Sequence, residues 1–101
     1  MKSFSEQCYD ALRLIPLGQV TTYKDIAQYL DTKAYRAVGS AMNKNPYPKD
    51  EVPCHRVVSS SGKLGGYAFG DEKKIAMLRA EGVIVEQGKI VHFEEIHFHF
   101  A

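Results

Sequence analysis

Residues 22–42 read TYKDIAQYLDTKAYRAVGSAM, and this stretch decides the fold. Thr22 and Asp25 stand at capping-box spacing. A Thr hydroxyl accepts an orphan backbone N–H, and the carboxylate three residues on reaches back. Ile26, Ala27 and Leu30 then form the buried stripe of a short helix. Asp31 and Thr32 turn the chain and cap it again, and residues 34–42 form a second short helix. Two short helices across a tight turn make a helix-turn-helix, whose second helix reads DNA. That helix is rich in small residues: Ala37, Gly39, Ser40 and Ala41. Gly39 costs about 1 kcal/mol relative to alanine, so something offsets it. The small residues suit either close packing against a neighbouring helix or a face thin enough to press into a DNA groove.

Upstream, Phe4, Cys8, Ala11, Leu12 and Ile15 recur at helical spacing and predict a first helix over 5–14, ended by Pro16 and Gly18. Downstream, Asn45-Pro46-Tyr47-Pro48 is a loop stiffened by two prolines. Val52-Pro53-Cys54-His55-Arg56-Val57-Val58 leads into a strand, and residues 64–70 are a glycine-rich loop. Asp71 caps a helix with Ile75, Met77 and Leu78 apolar, and Gly82 is its C′ residue. Residues 83–85 and 89–91 flank Glu86-Gln87-Gly88, a hairpin signal. In the tail, Ile96, Phe98 and Phe100 alternate with His97 and His99, the pattern of a last strand. His92, His97 and His99 invite a metal reading, but no second ligand cluster accompanies them, so the tail reads as a half-buried strand or a frayed end. The fold class is mainly α with a small β element, a winged helix-turn-helix-like domain.

Length and charge narrow the function classes. The 101 residues make one domain, and 45% apolar with 25% charged residues argues against disorder. A net charge of +1 excludes a uniformly basic surface, so any nucleic-acid site is a local patch. Between Val20 and Lys63 seven basic residues face four acidic ones, whereas from Glu86 onward one lysine faces three glutamates. Positive charge therefore gathers around the two short helices and the Cys54 loop. No apolar run is long enough to span a membrane, and residues 1–7 lack the apolar core of a secretory signal, so none is expected. The two cysteines are too few for a disulfide framework and read as thiols in a reducing compartment.

Cys54 is the leading chemical candidate. A reactive cysteine needs a base or positive charge beside it, and His55 and Arg56 supply both types within two positions. The alternative is a small buried hydrophobe. Consecutive side chains of a strand point oppositely, so cooperation of Cys54 with His55 needs a bent backbone or a bridging water. Cys8 lies on the apolar face of the first helix and reads as core. Glu81, at a helix end where the dipole disfavours a carboxylate, is either solvated or paired with His55 to fix its tautomer, as in a catalytic triad. A sequence-specific winged-helix regulator and a cysteine hydrolase are the weaker readings.

Pro53-Cys54-His55-Arg56-Val57 resembles the active-site pentapeptide of the O6-alkylguanine-DNA alkyltransferases, the methylated-DNA–protein-cysteine methyltransferases. Further matches lie in the same order: Gly18-Gln19-Val20-Thr21-Thr22-Tyr23, Arg36-Ala37-Val38-Gly39-Ser40-Ala41-Met42, Asn45-Pro46, Ser61-Gly62-Lys63-Leu64-Gly65-Gly66-Tyr67 and Glu81-Gly82. The resemblance implies a protein that binds the minor groove of double-stranded DNA, rotates an O6-alkylguanine out of the stack and transfers its alkyl group irreversibly to one cysteine. It implies Cys54 as nucleophile, His55 as base acting through a water, and Glu81 as the residue orienting His55. Asn45 holds the active-site turn, and Tyr23 donates to the departing guanine. Arg36 fills the gap in the duplex, with Ala37, Gly39, Ser40 and Thr22 at the DNA surface. Val57, Tyr67 and Ala68 line the base pocket.

The reaction so implied is stoichiometric and needs no cofactor. Zinc, where the family has it, sits in an N-terminal domain that is expected to be absent here, so no metal is expected. Residues 1–101 are expected to form one domain of the family's C-terminal type, with 93–101 an extra strand or tail. The expected state is a monomer in the cytoplasm, or in the nucleus of a eukaryote, with no membrane contact. The alkyltransferase-like proteins are similarly short and hold the lesion without transfer, but usually carry Trp where this chain has Cys54. Phe69 adds bulk to the pocket loop, and residues 49–51 bulge the loop before Cys54.

Overall fold

Ser3 begins the first helix, α1 (Phe4–Leu12), its hydroxyl accepting the Glu6 N–H at 3.2 Å. The computed structural model describes residues 2–48, 51–64 and 71–100. Helix α1 ends two residues before the expected boundary, because Leu14 and Ile15 bond back three residues in tight turns. The chain continues through β1 (Thr21–Thr22), α2 (Tyr23–Tyr29), α3 (Tyr35–Asn43), a 3₁₀ turn (Cys54–Arg56) and β2 (Val57–Val58). It ends with α4 (Asp71–Ala80), the hairpin β3 (Val85–Glu86) and β4 (Lys89–Ile90), and α5 (Phe93–Ile96).

The capping box at Thr22 forms with both halves present: the Thr22 hydroxyl accepts from Asp25 N, and the Asp25 carboxylate accepts from Thr22 N. The turn between α2 and α3 passes through Asp31 in the left-handed region (φ 55°), and the Thr32 hydroxyl accepts from Ala34 N. The helix-turn-helix is therefore present, with α3 running one residue beyond the expected end, but the expected second cap is not: Ala34 stands at the N-cap without a side-chain bond, and Thr32 only braces the turn. The small residues of α3 divide between the two readings: Ala41 packs in the core against α1, while Ala37 and Ser40 stay exposed and Gly39 half-buried. Val38, Ala41 and Met42 face the core, Arg36, Ala37 and Ser40 are exposed, and a Cβ on Gly39 would meet nothing within 4 Å. Close packing thus holds for Ala41 and leaves Ala37, Gly39 and Ser40 on the outer face.

β1 and β2 pair in parallel, Thr21 with Val57 and Thr22 with Val58, and this ribbon divides two apolar clusters. Successive residues of a strand face opposite ways. Val57 accordingly joins the cluster of Cys8, Leu12, Ile26, Val38 and Cys54, and Val58 joins that of Val20, Leu78, Val83 and Ile90. The wing is the β3–β4 hairpin, whose turn residues Gln87 and Gly88 both have positive φ (52° and 74°), as a tight two-residue hairpin requires. Gly62, with φ 84° and its Cβ position 3.5 Å from the Phe93 ring, turns the preceding segment against the wing.

The tail differs from the expected strand. Residues 93–96 are a helical turn, and among the described tail residues only His97 forms a bridge, in parallel with Val20 just before β1. Two backbone bonds hold it there, Val20 N to Ile96 O at 3.0 Å and Phe98 N to Val20 O at 2.7 Å. Phe98 and Phe100 pack at the edge of the first cluster, and that contact uses the apolar half of the alternation. No described helix is long and apolar enough to cross a membrane.

Candidate active site

The turn that carries Cys54 is held from both sides. Asn45 donates from Nδ2 to the Val52 carbonyl at 3.1 Å and accepts the Tyr47 N–H on Oδ1 at 3.0 Å. The same Val52 carbonyl accepts from the Cys54 backbone N–H at 2.9 Å. Asn45 and the cysteine backbone thus share one anchor, and Pro46, Pro48 and Pro53 stiffen the approach. The 3₁₀ turn gives the bent backbone that cooperation of Cys54 with His55 requires, since about three residues per turn put neighbours roughly 120° apart rather than on opposite faces. Both residues are buried, Cys54 at 2% and His55 at 1% exposure.

Glu81 reaches this turn because of how α4 stops. Gly82 has φ 88°, its N–H bonds the Arg79 carbonyl, and the Val83 N–H bonds the Leu78 carbonyl. These two bonds make a Schellman motif with Gly82 at C′, as expected from the sequence. The motif leaves Glu81 at the helix end and facing inward. His55 Nε2 lies 2.8 Å from Glu81 Oε2. Arg56 binds the same carboxylate through Nε to Oε1 and Nη2 to Oε2, both at 2.8 Å, and sends Nη1 to the Ile15 carbonyl. The solvated reading of Glu81 is therefore replaced by a clamp.

Charge in the clamp is set by competition. Burial pushes the Glu81 carboxyl up, but the hydrogen bonds from Arg56 and His55 outweigh it and hold the group below the usual carboxylate range. Burial lowers the pKa of His55, the Glu81 bond offsets part of that, and Arg56 and Lys74 push it lower. The imidazole is thus neutral and donates from Nε2 to an ionised carboxylate. Its lone pair lies on Nδ1, a buried atom with no hydrogen-bond partner among the described residues. A neutral, oriented base with an available lone pair sits next to a buried thiol.

Two residues of this arrangement escaped the sequence reading. In sequence Arg56 is a positive neighbour of Cys54, whereas in the fold it neutralises Glu81 across 25 residues. Lys74, to which the sequence reading assigns no role, is fully buried and donates to the Val57 and Leu64 carbonyls at 2.7 Å each. No local signal marks it. Cys8, expected in the core, is fully buried, and burial raises its pKa to about 11, so it stays a thiol.

The remaining expected residues fall in three places. Tyr23 is half-buried, and burial together with nearby Cys54 raises its hydroxyl pKa, which keeps it a donor. It lines an open cleft of about 410 Å³ with Lys24, Tyr35, Ser59 and Ser60. Arg36, Ala37 and Ser40 lie on the outer face of α3, with Gly39 half-buried between them, and Arg36 makes no hydrogen bond or ion pair among the described residues. Thr22, expected at the DNA surface, is 2% exposed with its hydroxyl committed to the capping box, so its part is to start the helix that carries Tyr23. Val57 is fully buried beside the Cys54 turn. Tyr67, Ala68 and Phe69 lie outside the described residues, as do Lys49 and Asp50.

The fold also supplies a partner that the tail histidines lack in sequence. Asp25, His97 and His99 bring one ligand-type atom each to within 4.8 Å of one another, although 72 residues separate Asp25 from His97.

Residues 3–83 match the family model of the 6-O-methylguanine DNA methyltransferase DNA-binding domain. A methylated-DNA–protein-cysteine methyltransferase of Methanosarcina acetivorans is 46% identical over 80 residues, 78% of this chain and 51% of that protein. The chain spans about half the length of most curated relatives it matches. The structure of Mycobacterium tuberculosis OGT in complex with DNA superposes with a TM-score of 0.74 at 41% identity, over 80% of this chain and 50% of that one. S. pombe Atl1 in complex with damaged DNA containing O6-carboxymethylguanine superposes with a TM-score of 0.81 at 34% identity, over 97% of this chain and 98% of that one.

Proposed function

The chain belongs to the family of 6-O-methylguanine DNA methyltransferase DNA-binding domains, and from that premise we propose that it repairs O6-alkylguanine in duplex DNA by taking the alkyl group onto its own Cys54. The observation that carries this reading is the neutral His55, held by Glu81 in the same 3₁₀ turn as the buried thiol.

The target carbon hangs from a base edge inside the duplex, so the nucleotide must leave the stack, at a cost of a few kcal/mol. The outer face of α3 lies in the minor groove, where Ala37, Gly39 and Ser40 permit close approach. Arg36 enters the space left by the base and recovers part of that cost by stacking and hydrogen bonding. The base lodges beside Tyr23 and Val57. The Cys54 proton passes through a water to His55 Nδ1. The thiolate then attacks the alkyl carbon, the S–C bond forms, the C–O6 bond breaks, and its electron pair stays on the guanine, which Tyr23 stabilises with a proton or hydrogen bond. The thioether is stable, so each chain acts once. The domain acts as a monomer and uses no cofactor in this reaction.

A second reading is a base-flipping sensor that grips the lesion without transfer. The superposition on S. pombe Atl1 at a TM-score of 0.81, against 0.74 for M. tuberculosis OGT, supports it. Incubation with a duplex bearing one O6-methylguanine, followed by intact-protein mass, separates the two. Transfer adds one methyl group to the wild-type chain and none to Cys54→Ser. A sensor binds the duplex and gains nothing.

A further inference from the structure

We propose that Asp25, His97 and His99 form a binding site for a divalent transition-metal ion of the zinc class, pinning the C-terminal tail to helix α2. The site stands apart from Cys54 and from the proposed transfer. Two imidazoles and a carboxylate are a ligand set that suits zinc, with water completing the coordination on an open side.

The three side chains converge for separate structural reasons. His97 and His99 are two residues apart in extended chain, which puts them on one face. The backbone between and around them is fixed, with Phe98 N bonded to the Val20 carbonyl and the Phe98 carbonyl accepting from the Thr21 hydroxyl at 3.2 Å. The His97 ring lies between Phe93 and His99, at centroid distances of 4.8 and 4.1 Å, and Phe100 stacks on Tyr29 at 4.6 Å. The tail therefore presents its imidazoles from a held position.

Asp25 arrives already oriented. Its Oδ2 accepts from Thr22 N at 3.3 Å and from the Thr22 hydroxyl at 2.7 Å, with the Thr21 hydroxyl at 3.4 Å. Such outer bonds to a ligating carboxylate fix its direction and raise metal affinity. Its Oδ1 takes no hydrogen bond among the described residues. His97 Nε2 lies 2.5 Å from Oδ2. A bound ion replaces that contact, and the imidazole then carries its hydrogen on Nδ1.

The distances are close to those needed. An ion about 2.1 Å from each ligand atom, in tetrahedral geometry, separates the ligands by about 3.4 Å. The present atoms lie within 4.8 Å of one another, so an ion needs His97 Nε2 and Asp25 Oδ2 to part from 2.5 Å by about 1 Å and the exposed His99 ring to turn toward them. Entry is open, because Asp25 and His99 border a surface cleft of about 460 Å³ with Gln28, Tyr29 and Phe100.

Calorimetric titration of the full chain with zinc chloride tests this, with His97→Gln, His99→Gln and His92→Gln run beside it. His99 is exposed, so its variant keeps the fold, which circular dichroism verifies. The wild-type chain is expected to take up one equivalent, and His97→Gln and His99→Gln to bind at least tenfold more weakly. His92→Gln removes the exposed His92–Glu95 pair and leaves uptake unchanged. Zinc is also expected to raise the melting temperature of the wild type and not that of His99→Gln. No stoichiometric uptake by the wild type, or equal affinity in all three variants, overturns the site.

Discussion

The interior behind Cys54 and the outer face of α3 follow opposite rules. Behind Cys54 charge is buried and matched: Glu81 receives His55 and a two-point grip from Arg56, and Lys74 is held by two carbonyls. On α3, Arg36 projects without a partner among the described residues, and Ala37, Gly39 and Ser40 leave the surface low. The interior meets its own electrostatic needs because an unpaired buried charge costs several kcal/mol. The surface has no such constraint and can leave groups for an external partner. The contrast teaches where function lies, because the unpaired groups of both regions, His55 Nδ1 inside and Arg36 outside, are those the proposed reaction uses.

Substitutions that unbalance the interior should have the largest effect on stability. Glu81→Gln removes the charge that answers Arg56, and a cost of about 3 kcal/mol is expected, the low end for breaking a buried pair. It should appear as a lower urea midpoint with an unchanged slope. An unchanged midpoint would mean the clamp carries no net stabilisation. Acid should act in the same direction. The folded His55 pKa lies below its ordinary value near 6.5, so the unfolded chain binds the proton first. Stability should be full above that value and fall as pH drops through the window between the unfolded and folded pKa. Glu81, also lowered, adds a further loss as pH falls below the ordinary Glu range toward its folded pKa. His55→Gln should flatten the upper part of this profile.

The surface should respond in affinity instead. Arg36→Ala should weaken binding to a lesion-bearing duplex by about tenfold, or 1.4 kcal/mol, and leave stability within about 0.5 kcal/mol of wild type. Fluorescence anisotropy at two salt concentrations checks it. A loss of stability with unchanged affinity would reverse the contrast between the two regions.

How far all this was legible depended on sequence separation. The capping box spans three residues, the Schellman stop needs only Gly82 past a helix, and the turn chemistry of Gln87-Gly88 is local, so each could be read directly. Cys54, His55 and Arg56 stood together and drew attention as a unit. The Arg56–Glu81 grip spans 25 residues and the Asp25–His97 contact 72, and neither leaves a periodic trace. Lys74 broke the rule that charged runs are solvated, because two carbonyls inside the fold take its ammonium. The tail was misread where its period changed: the alternation holds from His97 onward, but one helical turn precedes it.

Gly39→Ala offers the smallest effect and the finest discrimination. Beyond the helix's own backbone, no described atom lies within 4 Å of the added methyl, so the helix should gain about 0.5–1 kcal/mol. DNA affinity should fall at the same time, since the face thickens. A gain in stability with undiminished affinity would assign the glycine no part at the DNA surface.

The transfer itself is tested most directly by following the atom that moves. A duplex carrying O6-methylguanine with an isotopically labelled methyl group is mixed with excess and then limiting protein, and the digested chain is mapped by mass. The label is expected on the peptide holding Cys54, rising to one per chain and no further, and in no other peptide. Label that stays in the DNA while the protein binds it, or that passes one per chain, contradicts Cys54 as a single-use acceptor.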